Sequence, residues 1–183
     1  MLRVYQWSLR LAEEAGADLE LAGAAALVHD LAKVPKNHPD RSIAGQQSAV
    51  LAVRELETAG YTAVEIDTIV KAVAGSNWSA GQSAETALGA VLQDADRLDA
   101  LGAIGIARTF ACAQAMGGGE FYHPEDPLGQ TERALDDRRW AVDHFKVKLL
   151  RLSEGMHFEG SRSEAARRHQ FMVAFLEELA REL

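Results

Sequence analysis

The sequence has few of the features that mark secreted or membrane proteins. Its single cysteine, Cys112, cannot form an internal disulfide and lies in an apolar stretch, where we expect a buried structural thiol. No uninterrupted apolar run approaches the roughly 18 to 20 residues that cross a bilayer. The N-terminal segment carries charged residues and does not resemble a signal peptide. These absences predict a cytoplasmic protein without a membrane partner.

Positive charge is also scarce. The chain has 19 Lys and Arg residues against 27 Asp and Glu residues, which gives a net charge of -8 and a pI near 5.2. Because the phosphate backbone of a nucleic acid favours a basic protein face, we expect no nucleic-acid partner. A small anionic substrate held by a few local cations is compatible with this charge.

The sequence favours an all-α fold. Runs of β-branched residues are short, whereas alanine and leucine are abundant and apolar residues recur at helical spacing. With 183 residues, of which 48% are hydrophobic, the chain can bury the core of one compact domain. Helices are predicted near 2–15, 19–33, 41–59, 62–75, 84–98, 100–117, 132–151 and 162–182.

Capping residues and loops divide these helices. We expect Gly60 to end a helix, and side-chain N-caps at three helix starts: Asp18, Asp40 or Ser42, and Ser161 or Ser163. Proline and glycine concentrate in two loops, 34–39 and 116–131. The second loop is predicted to form a mobile lid or a contact in a homodimer.

The predicted second helix has hardly any polar face, which is the pattern of a helix buried nearly all round. His29 and Asp30 interrupt it. A buried, unpaired carboxylate is costly, so Asp30 is expected to have a cation, hydrogen-bond donors or a raised pKa. A metal would satisfy both residues; a buried His–Asp hydrogen bond, or an Asp that ends the helix, is the alternative. Lys33, on the same helical face, would reach an anion on that metal or would simply be solvated.

A second polar cluster covers residues 93–99 and contains three carboxylates. Asp94 and Asp96 point about 200° apart on a helix, so only one of them can face a site in the second helix. Apolar periodicity does not choose between them. On the residues alone, Asp94 and Asp99 are expected on a solvated acidic face.

These motifs resemble those of a known family. Ala25-Ala26-Leu27-Val28-His29-Asp30-Leu31-Ala32-Lys33 resembles the HD motif of metal-dependent phosphohydrolases, and Ala95-Asp96-Arg97-Leu98 resembles the motif of their distal aspartate. Residues 93–105, 125–127 and 144–150 are similar to a small bacterial HD-hydrolase subfamily, some of whose members are nucleotide pyrophosphohydrolases. The resemblance implies a single HD domain over 1–183, a compact helical bundle with a core of about 1–117 and additional C-terminal helices over about 118–183.

The resemblance also implies roles for individual residues. It makes His29, Asp30 and Asp96 the ligands of a divalent metal, with Lys33 and Arg97 steadying phosphate oxygens during catalysis. Such a mixed nitrogen and oxygen set suits Mn, Fe, Co, Ni or Zn better than Mg.

Three further residues have less definite roles. Asp94 is a candidate that supports the centre, and either it or Asp30 would orient or deprotonate water, so the general base stays unassigned. His144 and Lys148, one helical turn apart, are substrate-binding candidates that line the pocket; a core histidine and a surface lysine are equally compatible with their spacing.

The sequence departs from the family pattern at two positions. The family's first histidine ligand lies three residues before an Arg-Val pair, which is Arg3-Val4 here, so that histidine would immediately precede Met1. We expect a longer chain that contains it; a truncated domain whose metal is weakly bound or absent is the other interpretation. Ser76 stands where related sequences often carry a histidine.

The predicted function is hydrolysis of a small phosphorylated substrate, a nucleotide, by metal-activated water. A degenerate HD domain that binds a nucleotide or a partner protein without catalysis is the main alternative. A helical dimerisation module would explain the apolar periodicity but not the charges at residues 30, 33, 96 and 97.

Overall fold

The computed structural model describes residues 1–34, 38–78, 81, 83–115 and 119–183, without the side chains of Pro39 and Asp40. The predicted cap at Asp40 and parts of both predicted loops therefore lie outside the described residues. The described residues form eight α-helices: α1 (Leu2–Ala15), α2 (Leu19–Val28), α3 (Ala44–Ala59), α4 (Ala63–Ala74), α5 (Ala87–Asp99), α6 (Gly102–Ala115), α7 (Asp143–Val147) and α8 (Glu159–Glu182).

The all-α prediction is confirmed. In the described part of the chain, 3-10 helices at Pro39–Ile43 and Leu149–Gly155 add to the α-helices. Across the described ranges the only β pairing is one isolated parallel bridge between Glu120 and Trp140. Among the described helices, none is both long and apolar enough to cross a membrane.

The second helix is shorter than predicted, because it ends at Val28 rather than near residue 33. Beyond the helix, the backbone amide of Ala32 donates to the Ser48 hydroxyl at 3.1 Å and that of Val34 to the Ala32 carbonyl. Hydrogen bonds to these two acceptors replace the i to i−4 backbone bonds that a continuing helix would make. Pro35 also disfavours helical geometry at the residue before it.

The predicted helix over 132–151 is wrong for its first half. Only Asp143–Val147 is α-helical there. Upstream, side-chain carboxylates take the backbone amides: Asp143 accepts from Asp136 N at 2.8 Å, and Asp136 accepts from the amides of Arg138 and Arg139. Local side-chain bonds of this kind compete with helix formation, and here they fix an irregular turn instead.

The predicted caps are confirmed in part. The Asp18 carboxylate accepts from the amides of Glu20 and Leu21, and Gly60 ends α3 with φ of 91°. The N-cap of α3 is Ile43, which makes no side-chain cap bond, instead of Ser42. Since α8 begins at Glu159, Ser161 lies in its first turn and neither it nor Ser163 is the cap.

The chain divides into two compact units. Unit 1 comprises Met1–Leu98 and His157–Ser161, and unit 2 comprises Asp99–Met156 and Arg162–Leu183. In unit 1, α1 packs on α2 and α3 packs on α4. Glycine allows both close approaches, because a Cβ on Gly23 would lie 2.8 Å from the Tyr5 ring and one on Gly45 would lie 2.7 Å from the Ala74 carbonyl oxygen.

Unit 2 has an aromatic core. The rings of Phe110, Phe145 and Phe175 lie with their centroids about 6 Å apart, and Phe145 is fully buried. Cys112, expected to be buried, is only half-buried and free.

A buried ion-pair network holds the irregular segment before α7. The Arg133 guanidinium donates to both carboxylate oxygens of Asp143, at 2.6 and 2.7 Å, and to Asp126 at 3.0 Å. Burial raises the pKa of Asp126, but hydrogen bonds from the following residues and the charge of Arg133 outweigh it and bring this pKa to about 2. The pKa of Asp143 also lies below its usual value because Arg133 outweighs the effect of burial.

Replacing Arg133 with methionine should lower the free energy of unfolding by about 3 kcal/mol at neutral pH, because it leaves the fully buried Asp143 carboxylate without its cation. Carboxylates with lowered pKa stabilise the folded state above their unfolded pKa of about 3.9 and lose this effect as pH falls toward the folded value. The difference between parent and variant should therefore narrow below about pH 4. Urea denaturation at several pH values would measure it.

Arg181→Met is the matched control, since Arg181 makes an exposed ion pair with Glu178. This variant should lower the free energy of unfolding by no more than about 0.5 kcal/mol. Equal losses in the two variants would show that the Arg133 network contributes no more than a surface pair.

Candidate metal centre

His29 is the C-cap of α2, and its ring is fixed by the end of that helix. Its Nδ1 lies 2.7 Å from the Ala26 carbonyl oxygen, which can only accept, so Nδ1 carries a hydrogen. Nε2 lies 3.7 Å from Oδ1 of Asp96 on α5. In a neutral ring Nε2 bears a lone pair, so a nitrogen acceptor and an oxygen acceptor face each other. This arrangement favours a cation at Nε2, either a proton or a metal ion.

The electrostatics of His29 agree with that geometry. Burial lowers the pKa of the imidazole, but the hydrogen bond and charge of Asp96, the Ala26 carbonyl and the charge of Asp30 together raise it above the usual value of 6.5. The site therefore stabilises positive charge at the ring.

Asp30 is exposed, which corrects the expectation of a buried carboxylate. The early end of α2 places it in the turn after the helix instead of on a buried face. The helix itself is also less enclosed than predicted, since Leu19 is 45% exposed and Leu27 is 43% exposed. The need to compensate a buried charge therefore gives no argument for a metal at Asp30.

The structure distinguishes the two aspartates of α5. Asp96 faces His29, and its side chain is 41% exposed. Asp94 is fully buried on another side of the helix, where its oxygens accept from the amides of His157 at 2.8 Å and Phe158 at 3.1 Å. The Ser161 hydroxyl donates to the same carboxylate.

The expectation of a solvated acidic face is thus wrong for both Asp94 and Asp99. Asp99 is 6% exposed and forms an ion pair with Arg108. The donors to both carboxylates lie outside α5, more than 60 residues later for Asp94 and nine residues later for Asp99, and helical periodicity does not show them.

Arg97 lies in a polar network along α5. Its Nη2 donates to Oε1 of Gln93 at 2.9 Å, and its Nη1 lies 4.0 Å from Oδ1 of Asp94. Burial lowers the pKa of Arg97, while the carboxylates of Asp94 and Asp96 act in the opposite direction. The guanidinium is thus held against one face of α5, one residue after Asp96.

Gln93 and His157 belong to this network and were missed in the sequence. Gln93 is 1% exposed; its Nε2 donates to the Gly75 carbonyl at 2.8 Å, which directs Oε1 toward Arg97 and toward Nε2 of His157 at 3.0 Å. The spacing of Gln93, four residues before Arg97, was a usable signal for the first contact. Nothing local indicated His157.

Lys33 is exposed and lies outside α2, so the prediction that it shares a helical face with His29 is wrong. Ser76 is 5% exposed, and its hydroxyl donates to the Val73 carbonyl at 2.8 Å. It closes the turn after α4.

The two remaining candidates lie in unit 2. His144 is on α7, with Nδ1 2.8 Å from Oδ2 of Asp137, and the hydrogen bond to this ring holds the pKa of Asp137 below its usual value. Lys148 is the C-cap of α7, and its amide donates to the His144 carbonyl at 3.0 Å. His144 and Lys148 are one helical turn apart, as predicted, although α7 ends at Val147, just before Lys148.

The donors at His29 and Asp96 fit a divalent metal in chemical type, since they combine an imidazole nitrogen with a carboxylate oxygen. The Ala26 carbonyl on the other ring nitrogen is the usual support for a histidine ligand. Within the described ranges, three or more His, Cys, Asp or Glu side chains do not gather into a preformed metal cluster. Asp30 is a third candidate, because it follows His29 directly and its charge acts on the His29 ring.

The helical fold with a His-Asp pair at the end of α2 and a distal Asp on α5 is that of an HD domain. The sequence model of the HD domain family matches residues 1–101, and this chain belongs to that family. The superfamily resemblance noted in the sequence is thereby confirmed. HD domains generally bind divalent metals, and the fold supports a metal-dependent hydrolase.

The chain is similar over nearly its whole length to YpgQ of Bacillus subtilis (strain 168), with 33% identity over 185 residues, 99% of this chain and 81% of YpgQ. The crystal structure of YpgQ in complex with ADP matches with a TM-score of 0.74 and 32% identity, covering 99% of this chain and 86% of that one. An HD-superfamily hydrolase of Bacillus thuringiensis matches with a TM-score of 0.70 and 32% identity, covering 98% and 82%.

Proposed function

We propose that this protein is a metal-dependent phosphohydrolase that acts on a small phosphorylated substrate, a nucleotide. The observation that carries the proposal is the pair of acceptors His29 Nε2, at the end of α2, and Asp96 Oδ1, on α5, which lie 3.7 Å apart and favour a cation between or beside them. Membership of the HD domain family supports a metal ion as that cation.

His29, Asp96 and Asp30 would hold the metal. Asp30 follows His29 directly, and its exposure leaves the carboxylate accessible to an ion at the end of α2. When bound there, a divalent ion would activate water as a nucleophile and polarise a phosphoryl oxygen. The mixed donor set favours Mn, Fe, Co, Ni or Zn over Mg.

Two cations of the chain would then bind the phosphate. Arg97 follows Asp96 and is held in place by Gln93, so its guanidinium meets the substrate with little loss of side-chain freedom. Lys33 follows the His-Asp pair on an exposed segment and would bind a phosphate oxygen from the solvent side. Asp94 supports the centre by holding residues 157–161 against α5, since its carboxylate already accepts three donors.

A nucleotide is the favoured substrate class for two reasons. YpgQ, a relative that aligns over 99% of this chain, has been crystallised in complex with ADP. The net charge of -8 also leaves few cations for anion binding, which suits one small phosphorylated molecule better than a polyanion.

The proposal is tested by the metal content of the protein purified without chelators. We expect close to one transition metal ion per chain in the parent and none in a His29→Ala/Asp30→Ala double variant, because two of the three proposed ligands are then absent. Elemental analysis would measure the metal, and circular dichroism would verify that the variant remains helical.

Glu55→Ala is the control, since Glu55 is an exposed carboxylate on α3. It should retain the metal content of the parent. A parent that holds no metal even after incubation with manganese would contradict the proposal.

A second candidate function is binding of a nucleotide without hydrolysis. Ser76 favours it, because this hydroxyl is buried and bonded to the Val73 carbonyl where related sequences often carry a histidine. ADP binding in a protein that hydrolyses no nucleotide with any of the five metals would establish this alternative.

A further inference from the structure

A cleft lies between α4 and α5 in unit 1. Its volume is about 550 Å³, which is within the range of pockets that hold small organic ligands. One wall is the C-terminal half of α4, from Lys71 to Gly75, and the other is the N-terminal half of α5, where Gly89 and Gln93 line it. Residues Ser83 to Thr86 close one side.

The wall formed by α5 lies on the helix that also carries Asp96 of the proposed metal centre. Gly89 and Asp96 are seven residues apart, so on a helix they lie within about 20° of the same direction, with about 10.5 Å between them along the axis. Gln93 lies between them, about 4.5 Å from the level of Asp96. The cleft therefore begins about one helical turn from the Asp96 carboxylate and extends for another turn away from it.

The wall formed by α4 ends at the same level. Gly75 lines the cleft, and its carbonyl accepts from the Gln93 side-chain amide at 2.8 Å, which ties the two walls together at this end. Oε1 of Gln93 also accepts from Arg97, so both the nitrogen and the oxygen of this amide bond to the protein. Gln93 thus shapes the end of the cleft, and the other lining residues offer further groups for hydrogen bonds to a ligand.

The remaining lining combines small and polar residues. Ala72, Ala74, Ala84 and Gly89 give walls without protruding side chains, against which a flat ring can lie. The hydroxyls of Ser83 and Thr86 can donate to ring nitrogens, and the carboxylate of Glu85 can accept from sugar hydroxyls. Among the described lining residues, Lys71 is the one cation, and it is paired with Asp67 at 2.6 Å.

We infer that this α4–α5 cleft binds the nucleoside part of a nucleotide whose phosphates lie at the His29–Asp96 centre. The inference rests on the proposed function and adds the place where base and sugar are recognised. The lining favours an uncharged, ring-containing group with hydroxyls, because Lys71 is already paired with Asp67 and the centre beside the cleft takes the charged part.

The test is calorimetric titration with ADP and, separately, with pyrophosphate, both in the presence of manganese. Ala84→Trp fills the cleft and should weaken ADP binding at least tenfold while leaving pyrophosphate binding unchanged. Ser83→Trp introduces the same ring from an exposed position outside any helix and should act likewise, with less risk to folding. The matched control is Ala87→Trp, an exposed residue of α5 that does not line the cleft, which should bind both ligands as the parent does.

Unchanged ADP binding in both cleft variants would overturn the inference, as would a parent that binds pyrophosphate but not ADP. Either result would leave the proposed function intact. A parent that binds neither ligand with manganese would overturn both, and a loss of pyrophosphate binding in folded Ala84→Trp and Ser83→Trp would show that the cleft holds phosphate instead of the nucleoside.

Discussion

Replacing Asp96 with asparagine should lower nucleotide hydrolysis by about a thousandfold while the protein stays folded. The substitution keeps the shape of the side chain but removes the negative oxygen that faces His29 Nε2 at 3.7 Å. A metal supplies several kcal/mol of charge stabilisation in the transition state, and about 4 kcal/mol corresponds to a thousandfold in rate. Because the side chain is 41% exposed, the change should cost little stability.

Steady-state hydrolysis of a nucleotide with manganese, together with a thermal melt, would measure both effects. Glu55→Gln removes one exposed carboxylate from α3 and should leave the rate unchanged. A folded Asp96→Asn protein with the parental rate would remove Asp96 from the site.

Asp94→Ala should instead destabilise the fold, by about 4 kcal/mol. The variant leaves the part-buried amides of His157 and Phe158 and the buried Ser161 hydroxyl without their acceptor. Each buried donor without a partner costs about 1 to 3 kcal/mol, and the lost side chain also leaves a cavity. Such a loss is a large part of the stability of an ordinary domain. Urea denaturation of parent and variant would measure it.

Glu14 offers a matched comparison, because its carboxylate accepts from the amides of Glu159 and Gly160 at the same end of α8 but is exposed. Glu14→Ala should lower the free energy of unfolding by about 1 kcal/mol, as for an ordinary helix cap.

The Asp94→Asn variant distinguishes a structural role of Asp94 from a catalytic one. If Asp94 were the general base, this variant would be inactive while folded. If Asp94 only supports the centre, the activity of the variant should instead be proportional to the fraction of the protein that is folded.

Asp94 and Asp96 show which features of this site can be predicted from sequence patterns and which cannot. Helical periodicity established that Asp94 and Asp96 point in different directions, and the HD resemblance selected Asp96 as the one that faces His29, as the structure has it. The burial of Asp94 could not be predicted, since its donors lie more than 60 residues later in the chain. A local pattern cannot show that kind of pairing.

Helix ends show a similar limit. Six of the eight predicted helices match observed ones closely, because their apolar spacing and caps such as Asp18 and Gly60 act locally. The end of α2 was placed too late because the partner of the Ala32 amide is Ser48 on another helix. The segment before α7 was misassigned because its polar residues bond to one another and to nearby amides, which a count of apolar positions does not detect.

The contacts at the start of α8 determine where this protein can be cut into fragments. The family match ends at residue 101, yet His157–Ser161 belongs to unit 1 and supplies the donors for Asp94 and Glu14. A fragment cut at residue 101 would keep the His29–Asp96 pair but would expose the Asp94 side of α5 to solvent. The compact unit that contains the His29–Asp96 pair is therefore discontinuous in sequence, and the boundaries of the family match do not mark where it ends.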